Sequence, residues 1–113
     1  MSQLYAVINS GFLVSGDVDL TKRRLIGIQV PTITSGDLAI QGNVDTTSAN
    51  FMRLLETRGA GSGDLRIATG PGSRVAMLPD DFHTPPYVRF ETICVAGSLQ
   101  TDNRTLVLFT APR

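Results

Sequence analysis

His83 is the single histidine of the chain, Asp80 and Asp81 stand just before it, and Cys94 is the single cysteine. A thiol, an imidazole and a carboxylate are the parts of a nucleophile, base and orienting acid. Their spacing here matches no local catalytic signature. No serine elbow of the Gly-x-Ser-x-Gly type replaces them, because in Gly59-Ala60-Gly61-Ser62-Gly63 the serine is flanked directly by glycines. The ordinary reading is a loop histidine beside Pro85-Pro86. Cys94, in the apolar run Phe90-Glu91-Thr92-Ile93-Cys94-Val95, reads as a small buried hydrophobe. No catalytic residue is assigned, and the chain reads as a non-enzyme.

Other chemistries fail on the same test. One histidine and one cysteine make no zinc site without several carboxylates. Asp17-Val18-Asp19 has the first spacing of a calcium loop but lacks the later glycine and closing glutamate, so it reads as a turn and the start of a strand. The glycines of residues 59–63 suggest a phosphate cradle, yet no Lys-Ser or Lys-Thr follows and no strand-to-helix switch is evident. They make a hairpin or a contact loop more simply. Asn103-Arg104-Thr105 fits a glycosylation sequon and reads as the turn into the last strand. No metal site and no cofactor are expected.

Charge narrows the partners. Lys plus Arg and Asp plus Glu both total 10, which leaves a formal net charge of zero. Nucleic-acid binding draws its affinity from clustered cations that neutralise phosphates. The one local cluster, Lys22-Arg23-Arg24, reads as a solvated strand edge or turn, so no nucleic acid is expected. A chain near neutrality does little to resist self-association, and a homo-oligomer is expected. The N-terminal sequence lacks a basic stretch followed by a long apolar one, and no apolar run approaches the roughly 20 residues of a membrane span. Synthesis and folding in a cytoplasm are expected, with no membrane partner.

The elements that would position any site are strands. With 42% apolar and 18% charged residues, 113 residues suit one ordered domain, spanning 1–113. Turn signals recur at short intervals: Ser10-Gly11, Ser15-Gly16-Asp17, Ser35-Gly36-Asp37, residues 59–63, Gly70-Pro71-Gly72, Pro85-Pro86 and Gly97-Ser98. Short strands separated in this way form a sandwich or a barrel. Strands are expected at residues 5–14, 24–30, 38–44, 64–67, 74–78, 87–95 and 105–110. In 38–44 the alternation puts Leu38, Ile40 and Val44 on a buried face, and Ala39, Gln41 and Asn43 on the other.

Two strands are apolar on both faces. Val107 and Phe109 oppose Leu106 and Leu108, and Val88, Phe90 and Cys94 oppose Ile93 and Val95. Leu106, Leu108, Ile93 and Val95 are expected on the second face, met by a covering loop or by a neighbouring subunit. Residues 48–58 fit a helix capped by Ser48, or a strand, and the all-β context favours the strand. Pro79-Asp80-Asp81-Phe82 fits one helical turn. At most one or two short helical turns are expected in all.

From about Leu25 onward the order of features resembles the small β-sandwich virion proteins of tailed bacteriophages. The similar elements are an apolar strand entering Pro31-Thr32-Ile33-Thr34-Ser35, then Asp37-Leu38-Ala39-Ile40-Gln41-Gly42-Asn43-Val44-Asp45-Thr46-Thr47. They continue with Val75-Ala76-Met77-Leu78-Pro79-Asp80-Asp81-Phe82, the strand at 87–95, and Asp102-Asn103-Arg104-Thr105-Leu106-Val107-Leu108. The resemblance implies a jelly-roll-like sandwich that cements or decorates a capsid, with the major capsid protein or other virion proteins as partners and the virion as its location. It implies no catalytic residues. Residues 1–16 would then supply an arm. The competing readings are a neck or tail component of the virion and a ligand- or carbohydrate-binding sandwich. The last is disfavoured by the absence of Trp and by only two tyrosines, Tyr5 and Tyr87.

Overall fold

The computed structural model describes residues 2–33, 37–43, 51–56, 63–64, 66–67, 73–78, 85–93 and 99–113. Every regular element among them is a strand. In chain order they are β1 (Ser2–Ile8), β2 (Val18–Asp19), β3 (Arg23–Val30), β4 (Asp37–Asn43), β5 (Met52–Arg53) and β6 (Leu55–Glu56). Then follow β7 (Gly63–Asp64), β8 (Arg66–Ile67), β9 (Arg74–Met77), β10 (Tyr87–Ile93) and β11 (Arg104–Pro112). The helical turn expected at 79–82 lies outside the described residues.

All pairings are antiparallel. One sheet has the order β1-β11-β3-β9, and the other β2-β10-β4-β5, with β8 also paired to β4; β6 and β7 form a small ribbon. Set aside β6, β7 and β8, and eight strands remain. The first pairs with the last and the second with the next to last, which is the strand order of a jelly roll. The protein is therefore an all-β sandwich of jelly-roll type, as the turn spacing and the resemblance both led one to expect.

The two inner faces make one core. Ala6, Ile8, Leu25, Ile28, Val30, Leu106 and Leu108 come from the first sheet, and Leu38, Ile40, Val88 and Phe90 from the second. Val18, Leu20 and Ile33 close its margins. Burial of each large side chain in this layer stabilises the fold by roughly 1.5–3 kcal/mol. Leu106 and Leu108 are fully buried, so the expectation that they form the second, outward face is corrected. Val107 and Phe109 take that face, half-buried. The reason is register: Leu108 lies between Leu4 of β1 and Ile28 of β3, both on the inner side. On β10, Val88, Phe90 and Thr92 point inward and Ile93 is half-buried; Cys94 and Val95 lie outside the described residues.

A bulge tunes the central pair. Phe109 faces Gly27 and the next residue, Thr110, faces Leu25, so Ile26 is the extra residue on β3. That one-residue step brings Leu25 into the core with Ile28 and Val30, although simple alternation would send it outward.

Three further expectations have different outcomes. The strand expected at 5–14 is two pieces. β1 stops at Ile8, and the chain turns through Asn9, Ser10 and Gly11, with Phe12 N–H donating to the Asn9 carbonyl at 3.0 Å. Gly11 sits there at φ +83°, a conformation that glycine adopts without steric cost. Beyond the turn, residues 13–15 run beside β10: Thr92 N–H donates to Leu13 O and Ser15 N–H to Phe90 O, both at 2.8 Å. Of residues 1–16, expected to be able to supply an arm, Ser2–Ile8 pairs along its whole length with β11. Residues 48–58 contain strand at Met52–Arg53 and Leu55–Glu56, the favoured reading for the part that is described.

The Asn9–Phe12 turn is pinned to the loop before β11. Gly11 N–H donates to Gln100 O at 2.8 Å, Ser10 N–H to Asn103 Oδ1 at 2.8 Å, and the Ser10 hydroxyl to Thr101 O at 3.2 Å. Asn103, singled out as a sequon, thus serves the connection between the first and last strands. Gly11→Ala meets no atom in the space its methyl would enter, so its cost is the backbone strain alone. It is expected to lower stability by about 1–2 kcal/mol in urea denaturation, with the β-type circular dichroism spectrum unchanged.

Candidate docking surfaces

The residues expected to carry chemistry do not assemble a site within the described structure. His83, Asp80, Asp81 and Cys94 lie outside the described residues, as do residues 59–62. Asp19 uses its carboxylate locally, accepting from Thr21 N–H at 2.9 Å and from the Thr21 hydroxyl at 2.7 Å. Those two bonds, the backbone one foremost, hold its carboxyl below the usual carboxylate range. Lys22, Arg23 and Arg24 form the turn into β3 and its first residues. With Leu4, Asp19 and Thr21, Lys22 and Arg23 line a surface cleft of about 310 Å³. Its lining sets one acid, Asp19, against two bases, Lys22 and Arg23. Among the described residues no group of three or more His, Cys, Asp or Glu side chains is placed to hold a metal ion.

What the structure does bring together are the two outer sheet faces, and they differ in kind. On the second sheet, Arg89, Gln41 and Arg53 stand in one cross-strand row over β10, β4 and β5, with Glu91 one step along β10. Arg53 grips Glu91 with two bonds, Nε to Oε1 at 2.8 Å and Nη2 to Oε2 at 2.7 Å. Gln41 Nε2 donates to Glu91 Oε1 at 2.7 Å, and Arg89 Nε donates to the Gln41 carbonyl oxygen. The Arg89 guanidinium also lies over the Phe51 ring, 4.7 Å from its centre. This layer covers β4. Ala39, Gln41 and Asn43 are all buried, which corrects the expectation that β4 has one buried face. Among the described residues no buried side-chain polar atom lacks a partner.

The first sheet is the opposite case. Its outer face carries the row Tyr5, Val107, Gln29, Val75 and the parallel row Gln3, Phe109, Gly27, Met77, each crossing all four strands. Tyr5 is 62% exposed, Val75 57% and Met77 65%, with Val7 beside them also exposed. The face carries no charged side chain in either row. Large apolar side chains arranged contiguously on a monomer surface mark a place where something binds. Alternation in β9 carried a usable signal for it, since Val75 and Met77 share a face opposite Ala76 and Leu78. What the sequence left hidden was that β11 would add Val107 and Phe109 to the same side.

No family model, no curated protein and no solved structure matches the chain.

The Arg53–Glu91 pair sets an acid-dependent part of the stability. The Arg53 hydrogen bonds, with those of Gln41 and the charges of Arg53 and Arg89, outweigh burial and hold the Glu91 carboxyl below its ordinary value of 4.5. A depressed carboxyl contributes stability that is complete above the ordinary value and is lost as pH falls through the folded one. Arg53 remains partly exposed, so water screens the pair. Arg53→Ala is expected to cost about 0.5–1 kcal/mol at pH 7 and less at pH 3, below the ordinary Glu value. Urea denaturation of both proteins at the two pH values measures the difference.

Proposed function

We propose that the protein is a non-enzymatic structural subunit of a phage particle, seated on the capsid or another virion surface through the outer face of the β1-β11-β3-β9 sheet. The observation that carries this reading is the uncharged apolar face formed by Tyr5, Val7, Val75, Met77, Val107 and Phe109. Left in water, such a face forgoes roughly 25 cal/mol for each Å² that a partner would cover. The hydrogen-bonded polar layer on the other sheet supports the same orientation, with that side turned to solvent. Jelly rolls build many viral shells, but they also build lectins and cupins, so the fold lends the reading company rather than proof. The sequence resemblance to cement and decoration proteins points the same way.

Protein mass spectrometry of purified particles made by the genome that encodes the chain tests the proposal. The chain is expected in the particles in many copies. The variant Val75→Lys with Met77→Lys is expected to fold with the same circular dichroism spectrum and to be missing from them. Absence of the unaltered chain from the particles would contradict the proposal, as would incorporation of the variant at the normal level.

A further inference from the structure

The outermost strand of a sheet presents N–H and C=O groups with no ladder partner, and natural folds guard such edges with shortness, charge, proline or irregular backbone. Three edges here are guarded in those ways. β2 is two residues long and contains Asp19, and the chain before it breaks register, so that the Ser15 hydroxyl accepts the Phe90 N–H in place of a backbone carbonyl. β5 is two residues long and contains Arg53. β9 is four residues long and opens on Arg74. β1 has none of these protections. It is seven residues, Ser-Gln-Leu-Tyr-Ala-Val-Ile, without charge or proline, and its register with β11 is unbroken from end to end. Among the described residues, no backbone hydrogen bond outside the strand ladders reaches it.

We propose that β1 pairs antiparallel with β1 of a second copy across a two-fold axis at Tyr5. In that register residue 2 meets 8 of the other copy, 3 meets 7, and 4 meets 6. The alternation is preserved: Leu4, Ala6 and Ile8 extend the inner layer, while Gln3, Tyr5 and Val7 extend the outer one. A two-fold contact sets each residue near its axis against its own copy. Charge therefore decides which edge is compatible with it. β2 and β5 would bring Asp19 and Arg53 close to their own copies and β9 would carry Arg74 into the pair, whereas β1 brings no charged side chain. At the axis the exposed Tyr5 rings form a cross-strand aromatic pair. The contact line is about 23 Å long for seven residues. That is slimmer than a standard interface, so the dimer depends on concentration. The inference is independent of the virion reading, since it rests on the edge of the sheet and not on its outer face.

Sedimentation velocity from low micromolar to near-millimolar protein tests it. The unaltered chain is expected to pass from monomer to dimer over that range. Tyr5→Lys and Tyr5→Glu should each stay monomeric, and an equal mixture of the two should recover a dimer, because opposite charges then meet at the axis. Recovery requires both variants to be folded, so loss through misfolding is separated from loss of pairing. Gln3→Glu combined with Val7→Lys places opposite charges across the axis in both directions and should dimerise at lower concentration than the unaltered chain. Met77→Lys, at the far side of the same sheet, should leave the dimer unchanged. A chain that stays monomeric throughout overturns the inference, as does a dimer that survives both Tyr5 substitutions. Dissociation by Met77→Lys overturns it too, because it would place the contact on the face instead of the edge.

Discussion

The structure depends on which way β11 faces. This strand joins the sheet between β1 and β3, and it is apolar on both sides, so its own composition permits either orientation. Its neighbours decide. Leu108 falls between Leu4 and Ile28, and Leu106 falls beside Ala6 of β1, which fills the core with leucine and leaves Val107 and Phe109 outside. Once that choice is made, the first and last strands are locked together, as a jelly roll requires, and the outer face of the first sheet becomes apolar. The bulge at Ile26 serves the same orientation by letting Leu25 join the core.

The contrast between the two outer faces follows from what each strand can offer outward. β10 alternates Val88, Phe90 and Thr92 with Tyr87, Arg89 and Glu91, so its outward residues include one cation and one anion. Gln41 and Arg53 meet them across the ladder and close the network over Phe51. β11 and β9 turn no charged residue outward along their shared rows, where the polar Gln29 and Gln3 stand beside their valines, Phe109 and Met77. One sheet therefore finishes its own surface. The other leaves an apolar outer face, and among the described edges β1 is the least guarded.

Much of the fold was legible from turn spacing, because Gly, Pro and Asp fall between apolar runs and short strands follow from that alone. The alternation at residues 38–44 correctly put Leu38 and Ile40 in the core, while Val44 lies outside the described residues. It misjudged Ala39 and Gln41 because the cover over them comes from Phe51, Arg53 and Glu91, a tertiary register that no local period encodes. The same limit hid the orientation of β11: a strand apolar on both sides carries no internal mark of which side is in. The turn at Gly11 was visible as a signal, yet the apolar residues on either side of it read as one strand. The candidate site was legible only in outline. A second apolar face was expected, but it was assigned to Leu106 and Leu108 instead of Val107 and Phe109. The chemistry-bearing His83, Asp80, Asp81 and Cys94 lie outside the described residues.

The orientation of β11 is open to direct measurement by truncating its side chains one at a time. Leu106→Ala and Leu108→Ala open cavities in the packed core and should each cost about 2–5 kcal/mol in chemical denaturation. Val107→Ala and Phe109→Ala remove half-exposed side chains and should each cost about 1 kcal/mol or less in dilute protein. If the valine and phenylalanine truncations prove the more damaging pair, β11 faces the other way, and the apolar surface described here does not exist.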